Sequence, residues 1–265
     1  MVVFAGCRSV EKRIAPSNFR DWTPEQAVVP NADVHGNRVT IHNVRNCRYF
    51  ANDVYLVDYY DKSFDFNSVR SVDFIVAPFT GMPALAHTML SFKIRGADGK
   101  SDYLAVSVET RKERTETYSP VKGSARQYEL IYVLADERDV IQYRTNFSGQ
   151  DVYVYQTTAT PEAARTLLAD VLVRVNQLAK KPEFYDTLTN NCTTNIVDHI
   201  NRIRPNRVMA DLRVLLPGYS DELAYDQGLI ARRGTFLETK QQAYVNPLAH
   251  RYAGREDFSE MIRRR

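Results

Sequence analysis

The chain has 265 residues, 44% of them hydrophobic, so it can bury one large core. A net charge of +3, without a concentrated basic stripe, argues against nucleic-acid binding. The three cysteines are too few for a disulfide framework and lack metal-ligand spacing, so no metal or other cofactor is expected. No apolar run is long enough to span a bilayer.

The first segment, residues 1–38, is rich in Pro, Asn, Arg and Asp without periodicity and is predicted to be a tether. Its start, VFAGC at 3–7, resembles the end of a bacterial lipoprotein signal, where small residues precede a cysteine that receives lipid. Only six residues precede Cys7, too few for a complete signal. Either the true start lies upstream and Cys7 is a lipid anchor, or the match is chance.

Strand-like patterns follow. Aromatic runs alternate over 39–61, and SVDFIVAPF at 71–79 predicts a buried strand that ends at Pro78. HTMLSFKI at 87–94 and DYLAVSVET at 102–110 flank an Asp-Gly turn and predict a hairpin. The runs at 128–135, 139–144 and 151–157 extend the prediction to a largely antiparallel meander.

Helical patterns begin after Thr160. Pro161 suits a first turn, and apolar residues then recur at helical spacing up to Lys180 and Lys181. A second helix starts near Cys192 and ends before Pro205. A weaker helix is predicted over about 207–215 and another within 220–230.

These elements predict an α+β fold in which an antiparallel sheet packs against a helical C-terminal half. Residues 39–232 are assigned to the domain that carries the chemistry, and residues 233–265 to a basic, polar tail.

One cysteine has an unusual setting, TNNCTTN at 189–195. Its neighbours are residues that cap helices, which places Cys192 at a helix N-terminus. Unpaired amides and the partial positive charge there favour a thiolate, the nucleophilic form of cysteine. Cys192 is therefore a candidate nucleophile, although a cysteine at a helix start can also be purely structural.

A nucleophilic thiol needs a base. His199 lies two helical turns after Cys192, about 10 Å along the axis and too far for direct proton transfer. His87 begins the first strand of the hairpin, where a rigid strand end could hold it against the helix start. Packing or solvation of a strand-end histidine is the alternative reading.

A third group usually orients the imidazole. If Ile94 pairs with Tyr103 across the turn, His87 lies opposite 109–110. Glu109 is then the first candidate and Ser107, one repeat inward on the same face, the second. A solvated charge is the alternative for Glu109.

With these residues in place, the chain resembles the Lnb N-terminal periplasmic domain family of bacterial envelope proteins. The resemblance rests on the stretches AHTMLSFKI, YLAVSVETRKERTETYSP, QYELIYVLADERDVIQYR and YDTLTNNCTTNI, in that order, over about 40–205. The order of histidine before cysteine also resembles circularly permuted papain-like folds of the NlpC and lecithin:retinol acyltransferase groups.

The resemblance implies a thiol acyltransferase or hydrolase with Cys192 as nucleophile and His87 as base. The named family member moves a fatty acyl chain from phospholipid to the amine of a lipidated N-terminal cysteine. Backbone amides near Cys192, with Asn191, would stabilise the oxyanion, and the residues expected to contact substrate are Asn191, Thr193, Arg111, Tyr118 and Arg138. For the last three, a structural ion pair or hydrogen bond is the alternative.

The expected setting is the periplasm or cell envelope, at a membrane surface, with phospholipid and lipoprotein as substrates. Two alternatives remain: a cysteine peptidase or amidase acting on cell-wall peptides, and a non-enzymatic envelope lipoprotein on a papain-like scaffold. A hydrophobic groove beside Cys192 would favour acyl transfer, and a polar cleft with peptide-sized subsites would favour peptide cleavage.

Overall fold

The strand-like runs of the sequence form one sheet. The structure, a computed structural model, describes residues 15–96, 98–117, 119, 123 and 126–264. Within these residues the strands are β1 (Asn31–His35), β2 (Arg38–Arg45), β3 (Arg48–Tyr49), β4 (Tyr55–Leu56), β5 (Tyr59–Asp65), β6 (Val69–Phe79), β7 (Met82–Arg95), β8 (Ser101–Arg111), β9 (Glu129–Asp136) and β10 (Tyr153–Gln156).

Eight of these strands share the sheet, in the order β1-β2-β9-β8-β7-β6-β10 with β5 also paired to β2. Strands β3 and β4 pair separately. The ladders are antiparallel except the contact of β2 with β9, where Arg45 pairs with Ala135 in parallel.

The helices lie mainly in the second half of the chain. They are α1 (Glu137–Gln142), α2 (Pro161–Lys180), α3 (Cys192–Ile203), α4 (Ser220–Asp226), α5 (Phe236–Ala243), α6 (Asn246–Tyr252) and α7 (Phe258–Met261), and Tyr143–Phe147 continues α1 as a π-helical turn. Single 3₁₀ turns occur at Pro24–Gln26, Phe66–Ser68, Leu212–Val214 and Pro217–Tyr219. No helix among the described residues is long and apolar enough to cross a membrane.

The β7–β8 hairpin is confirmed, with Gly99 at a φ of +81° in its turn, a conformation that glycine adopts without strain. Its predicted register is wrong by one residue, because Ile94 pairs with Asp102 rather than with Tyr103. The β7–β8 ladder stops at the pair Met89 and Ser107. Beyond that pair the two strands separate, which opens the sheet beside the start of α3.

Both faces of the sheet are buried over its central strands, β6 to β9. On one face, Phe92 and Leu104 pack with the apolar stripe of α2, including Leu168 and Val171, and with α3. Burying a side chain of this size stabilises the fold by about 1.5–3 kcal/mol. Residues of the C-terminal helices cover the other face, where Phe258 is 1% exposed. The expected α+β class with a large antiparallel sheet is confirmed, and the circularly permuted papain-like connectivity stays a prediction.

Several expectations for single elements are wrong. Residues 139–144 are helical, because Asp136 caps a helix by accepting a hydrogen bond from the Arg138 amide. Pro78 lies inside β6 rather than at its end. The helix expected over 207–215 is one 3₁₀ turn.

The two terminal segments also differ from expectation. A basic, polar tail is expected over 233–265, but its described part, 233–264, contains α5 to α7, which pack against the sheet through Val245, Ala249, Phe258 and Ile262. A tether is expected over residues 1–38. Its described part, residues 15–38, instead includes the strand β1 and the buried Trp22. Short amphipathic elements escape periodicity analysis because each contributes only one or two apolar side chains.

Candidate active site

Cys192 is the first residue of α3, as the cap-forming sequence predicted. The Asn191 side chain accepts hydrogen bonds from the amides of Thr193 and Thr194, and the Thr194 hydroxyl accepts one from the Asn191 amide. This capping box fixes the helix start. The Cys192 Sγ atom lies 3.9 Å from the carbonyl oxygen of Ala86, the residue before His87.

A cavity of about 290 Å³ joins the candidate residues. It occupies the opening between β7 and β8, since consecutive residues of β8, which point to opposite faces, all line it. Cys192 and His87 both contribute to its wall. Its lining includes Cys192, His87, Glu109, Arg45, Arg144 and Leu215.

His87, Ser107 and Glu109 form a hydrogen-bonded chain. Nε2 of His87 lies 2.6 Å from the Ser107 hydroxyl, which donates to Glu109 Oε1 at 2.8 Å. The β7–β8 register, continued from the pair Met89 and Ser107, sets His87 opposite Glu109, yet the imidazole contacts Ser107, the second candidate, and Glu109 lies behind it. Both side chains project from the same face of β8 because they are two residues apart.

The proton positions in this chain follow from the charge of Glu109. Burial opposes that charge, but Arg45, His87, Arg144 and the Ser107 hydrogen bond together lower the pKa of Glu109 to about 2. An ionised carboxylate can only accept, so Ser107 donates its single proton to Glu109 and accepts from His87. The proton of the neutral imidazole is therefore on Nε2, and Nδ1 carries the lone pair that can act as a base.

The charge of His87 is equally constrained. Burial, with further contributions from Arg144 and Arg45, lowers the pKa of His87 to about 3, although Glu109 opposes this shift. At pH 7 the imidazole is neutral. The resting site therefore holds a neutral base, and proton transfer from the thiol accompanies attack on a substrate.

An NMR titration of the histidine rings should show this shift. A group with a lowered pKa binds its proton only at lower pH, so the His87 ring resonances should stay constant from pH 8 down to 5. His42 is an internal control, because its hydrogen bonds to Asp61 and Asp33 raise its pKa and its resonances should move within that range. The spectrum of His87→Ala assigns the signal, and a His87 midpoint near 6.5 would contradict the neutral-base description.

The backbone amide of Cys192 is a candidate oxyanion donor. Among the described residues, none accepts a hydrogen bond from this N–H, while the amides of Thr193 and Thr194 are bonded to Asn191. The Asn191 side chain also donates from Nδ2 to the Thr187 carbonyl at 2.7 Å. Asn191 therefore serves as the helix cap, and because it also lines the cavity, its expected role as a side-chain donor to substrate stays a prediction.

Thr193, Arg111 and Arg138 do not line the cavity that holds Cys192, and each has contacts within the protein. Thr193 Oγ1 lies 3.0 Å from Thr88 Oγ1 and joins α3 to β7. Arg111 is 1% exposed and donates to the carbonyls of Gln26 and Ala27, so it anchors the N-terminal segment. Arg138 lies outside the cavity lining, 3.9 Å from Asp136.

Tyr118, the remaining substrate candidate, and Cys7, the candidate lipid anchor, lie outside the described residues.

Four further residues surround and support Glu109, and they were not identified from the sequence. Arg45 makes a bidentate ion pair with buried Asp139, while Arg45 and Arg144 lie 3.7 and 3.8 Å from Glu109. Gln26 donates to the other oxygen of Glu109 at 3.0 Å. These residues come from three segments of the chain, around Gln26, in β2 and in α1 with its π-helical turn, and no local motif marks them.

The other buried thiol has a different environment. Burial, reinforced by the Asp139 carboxylate, raises the pKa of Cys47 to about 12, so this thiol stays protonated and unreactive. His199 is also committed elsewhere, with Nδ1 2.5 Å from Asp170 and Nε2 2.8 Å from the Tyr132 hydroxyl. Both observations leave Cys192 and His87 as the thiol and imidazole of the cavity.

A comparison with protein-family models identifies the family. The model of the Lnb N-terminal periplasmic domain matches residues 55–218, more than half of the chain and the whole segment that carries His87, Ser107, Glu109 and Cys192. The chain belongs to the Lnb N-terminal periplasmic domain family. No curated protein and no solved structure matches it. Membership assigns this Lnb-family domain to the periplasm of the bacterial envelope.

Proposed function

We propose that this Lnb-family domain is a cysteine acyltransferase that moves a fatty acyl group from a phospholipid to the amine of a lipoprotein. The proposal is carried by the chain from Glu109 through Ser107 to His87, which makes Nδ1 the basic nitrogen of an imidazole that lines the same cavity as Cys192. The Cys192 amide, which has no acceptor among the described residues, supports the same chemistry, because it can stabilise the oxyanion of an acyl-transfer intermediate.

The reaction needs two steps. In the first, Cys192 Sγ attacks the ester carbonyl, its proton passes to His87 Nδ1, and the lysophospholipid leaves with that proton as the thioester forms. In the second, the acceptor amine attacks the thioester carbonyl and an amide bond forms. The amine gives up a proton through His87, and the carbon–sulfur bond breaks to restore the thiol.

An assay that supplies an acceptor amine distinguishes acyl transfer from hydrolysis. The protein should be incubated with phosphatidylethanolamine vesicles and a synthetic peptide whose N-terminal cysteine carries an S-diacylglyceryl group. The expected product is the peptide with one additional amide-linked acyl chain, resistant to hydroxylamine and detected by mass spectrometry.

Other products would contradict the proposal. Free fatty acid with lysophospholipid and no acylated peptide indicates a hydrolase, whereas cleavage of the peptide backbone indicates a peptidase. An unchanged mixture with folded protein would overturn acyl transfer to this acceptor.

A further inference from the structure

A second cavity, here called the apolar cavity, lies along α3 and has a volume of about 280 Å³. An apolar cavity of about 150 Å³ can hold benzene, so this one has room for a considerably larger hydrocarbon. Aliphatic and aromatic side chains from the sheet, from α2 and from α3 form most of its wall. They include Phe74, Leu90, Leu167, Ile196, Val197 and Ile200.

Its hydroxyl groups have partners within the protein. Thr157 donates to the Val72 carbonyl, Thr158 to that of Gly228 and Ser220 to that of Pro217. The hydroxyls of Thr160 and Thr193 are also hydrogen-bonded, to the Ala163 amide and to Thr88. With these groups satisfied, the cavity suits a hydrocarbon better than a polar ligand.

The wall also carries positive charge. Arg204 and Arg207 both line the apolar cavity, and neither forms an ion pair with any described residue. Arg207 donates to the carbonyls of Gln227 and Gly228, and no carboxylate in the described part of the chain pairs with its charge. Arg204 is exposed to solvent. An apolar cavity with cations in its wall is complementary to an amphiphile with an anionic head.

The apolar cavity adjoins the candidate active site. Cys192 lines one cavity and Thr193, the next residue of α3, lines the other. The segment 212–217 separates them, with Val214 on the apolar side and Leu215 on the side of Cys192. Gly218 lets this segment pack tightly against β7, since a Cβ atom there would lie 1.8 Å from the Pro83 carbonyl oxygen.

We infer that the apolar cavity binds the hydrocarbon chain of an anionic amphiphile, with Arg204 near the charged head. Its assignment as the site of the acyl chain that Cys192 transfers rests on the proposed function. Chain binding itself needs no chemistry at Cys192.

Binding of decanoate, measured by isothermal titration calorimetry on Cys192→Ser protein, tests the inference without acyl transfer. Val197→Trp fills the apolar cavity from α3 and should reduce the affinity for decanoate at least about tenfold. Val173→Trp is the matched control, because Val173 is 57% exposed on α2 and lines neither cavity. The control should bind like the parent.

A comparison of a charged ligand with an uncharged one tests the role of Arg204. Arg204→Gln should reduce the affinity for decanoate about two- to fivefold and leave the affinity for 1-decanol unchanged, because only decanoate carries a negative charge. Arg114→Gln, on an exposed residue outside the cavity lining, should change neither ligand.

The outcomes separate this inference from the proposed function. No decanoate binding, or equal binding by folded Val197→Trp protein, overturns the cavity assignment even if Cys192 becomes acylated. Equal weakening of both ligands by Arg204→Gln overturns the role of Arg204. A third outcome is that Val197→Trp weakens decanoate binding as expected while wild-type protein never acquires an acyl group. This outcome supports the assignment of the apolar cavity and contradicts only the proposed function.

Discussion

Cys192→Ala should reduce acyl transfer to the lipopeptide at least about 10³-fold. Alanine keeps the helix start, because the cap is made by Asn191 and Thr194, and it removes only the sulfur that attacks the ester. The measurement is the initial rate of amide formation from phosphatidylethanolamine at equal concentrations of folded protein, with folding checked by circular dichroism.

Cys47→Ala is the matched control for this prediction. Cys47 is buried like Cys192, but it does not line the cavity that holds Cys192, and its raised pKa keeps the thiol protonated. The control should keep its transfer rate within about a factor of two of the parent at a temperature well below unfolding. A folded Cys192→Ala protein with the parent's rate would show that the nucleophile lies elsewhere.

His87→Ala should produce the second-largest loss, about 10²- to 10⁴-fold in the rate of thioester formation. The imidazole is neutral at rest, so its removal takes away the proton acceptor without leaving a charge unpaired in the cavity. Rapid-quench measurement of the acyl-enzyme isolates this step. Because His87 accepts the thiol proton, the substitution should lower the rate constant of thioester formation and leave the affinity for lipid unchanged.

Two serine variants define how His87 is held. Ser107→Ala removes the hydroxyl between His87 and Glu109, and should reduce thioester formation by a smaller factor than His87→Ala while shifting its pH dependence. Ser91→Ala is the control, since Ser91 makes a comparable buried hydrogen bond to Glu137 away from the cavity. Equal losses in both serine variants would indicate a general packing effect instead of a positioning role.

Much of the site could be predicted from sequence because its signals are local. The residues around Cys192 cap a helix, and the Asp-Gly turn fixed a hairpin whose ends carry His87 and Glu109. The register error of one residue still left Glu109 in the range expected opposite His87, but strand pairing alone does not say which neighbouring side chain the imidazole contacts. Turn chemistry constrains a hairpin, but the exact pairing also depends on packing of both faces.

The charges that tune the site could not be predicted. Arg45 and Arg144 come together at Glu109 only after β2, β8 and the π-helical turn have folded against one another. Residues 139–144 alternate like a strand, and the Asp136 cap together with burial of Val140 and Ile141 made them helical instead. Tertiary packing decided both features, and a single sequence gives no long-range pairing.

The central claim is that the Cys192 sulfur forms a thioester with a fatty acyl chain. Peptide-resolved mass spectrometry of wild-type protein, mixed with phosphatidylethanolamine vesicles and quenched in acid, tests it directly. We expect the acyl mass on the peptide containing Cys192, removed by neutral hydroxylamine and absent from the His87→Ala protein at the same time point. A Cys192 peptide that stays unmodified, or an acyl group found only on another residue, would contradict the account.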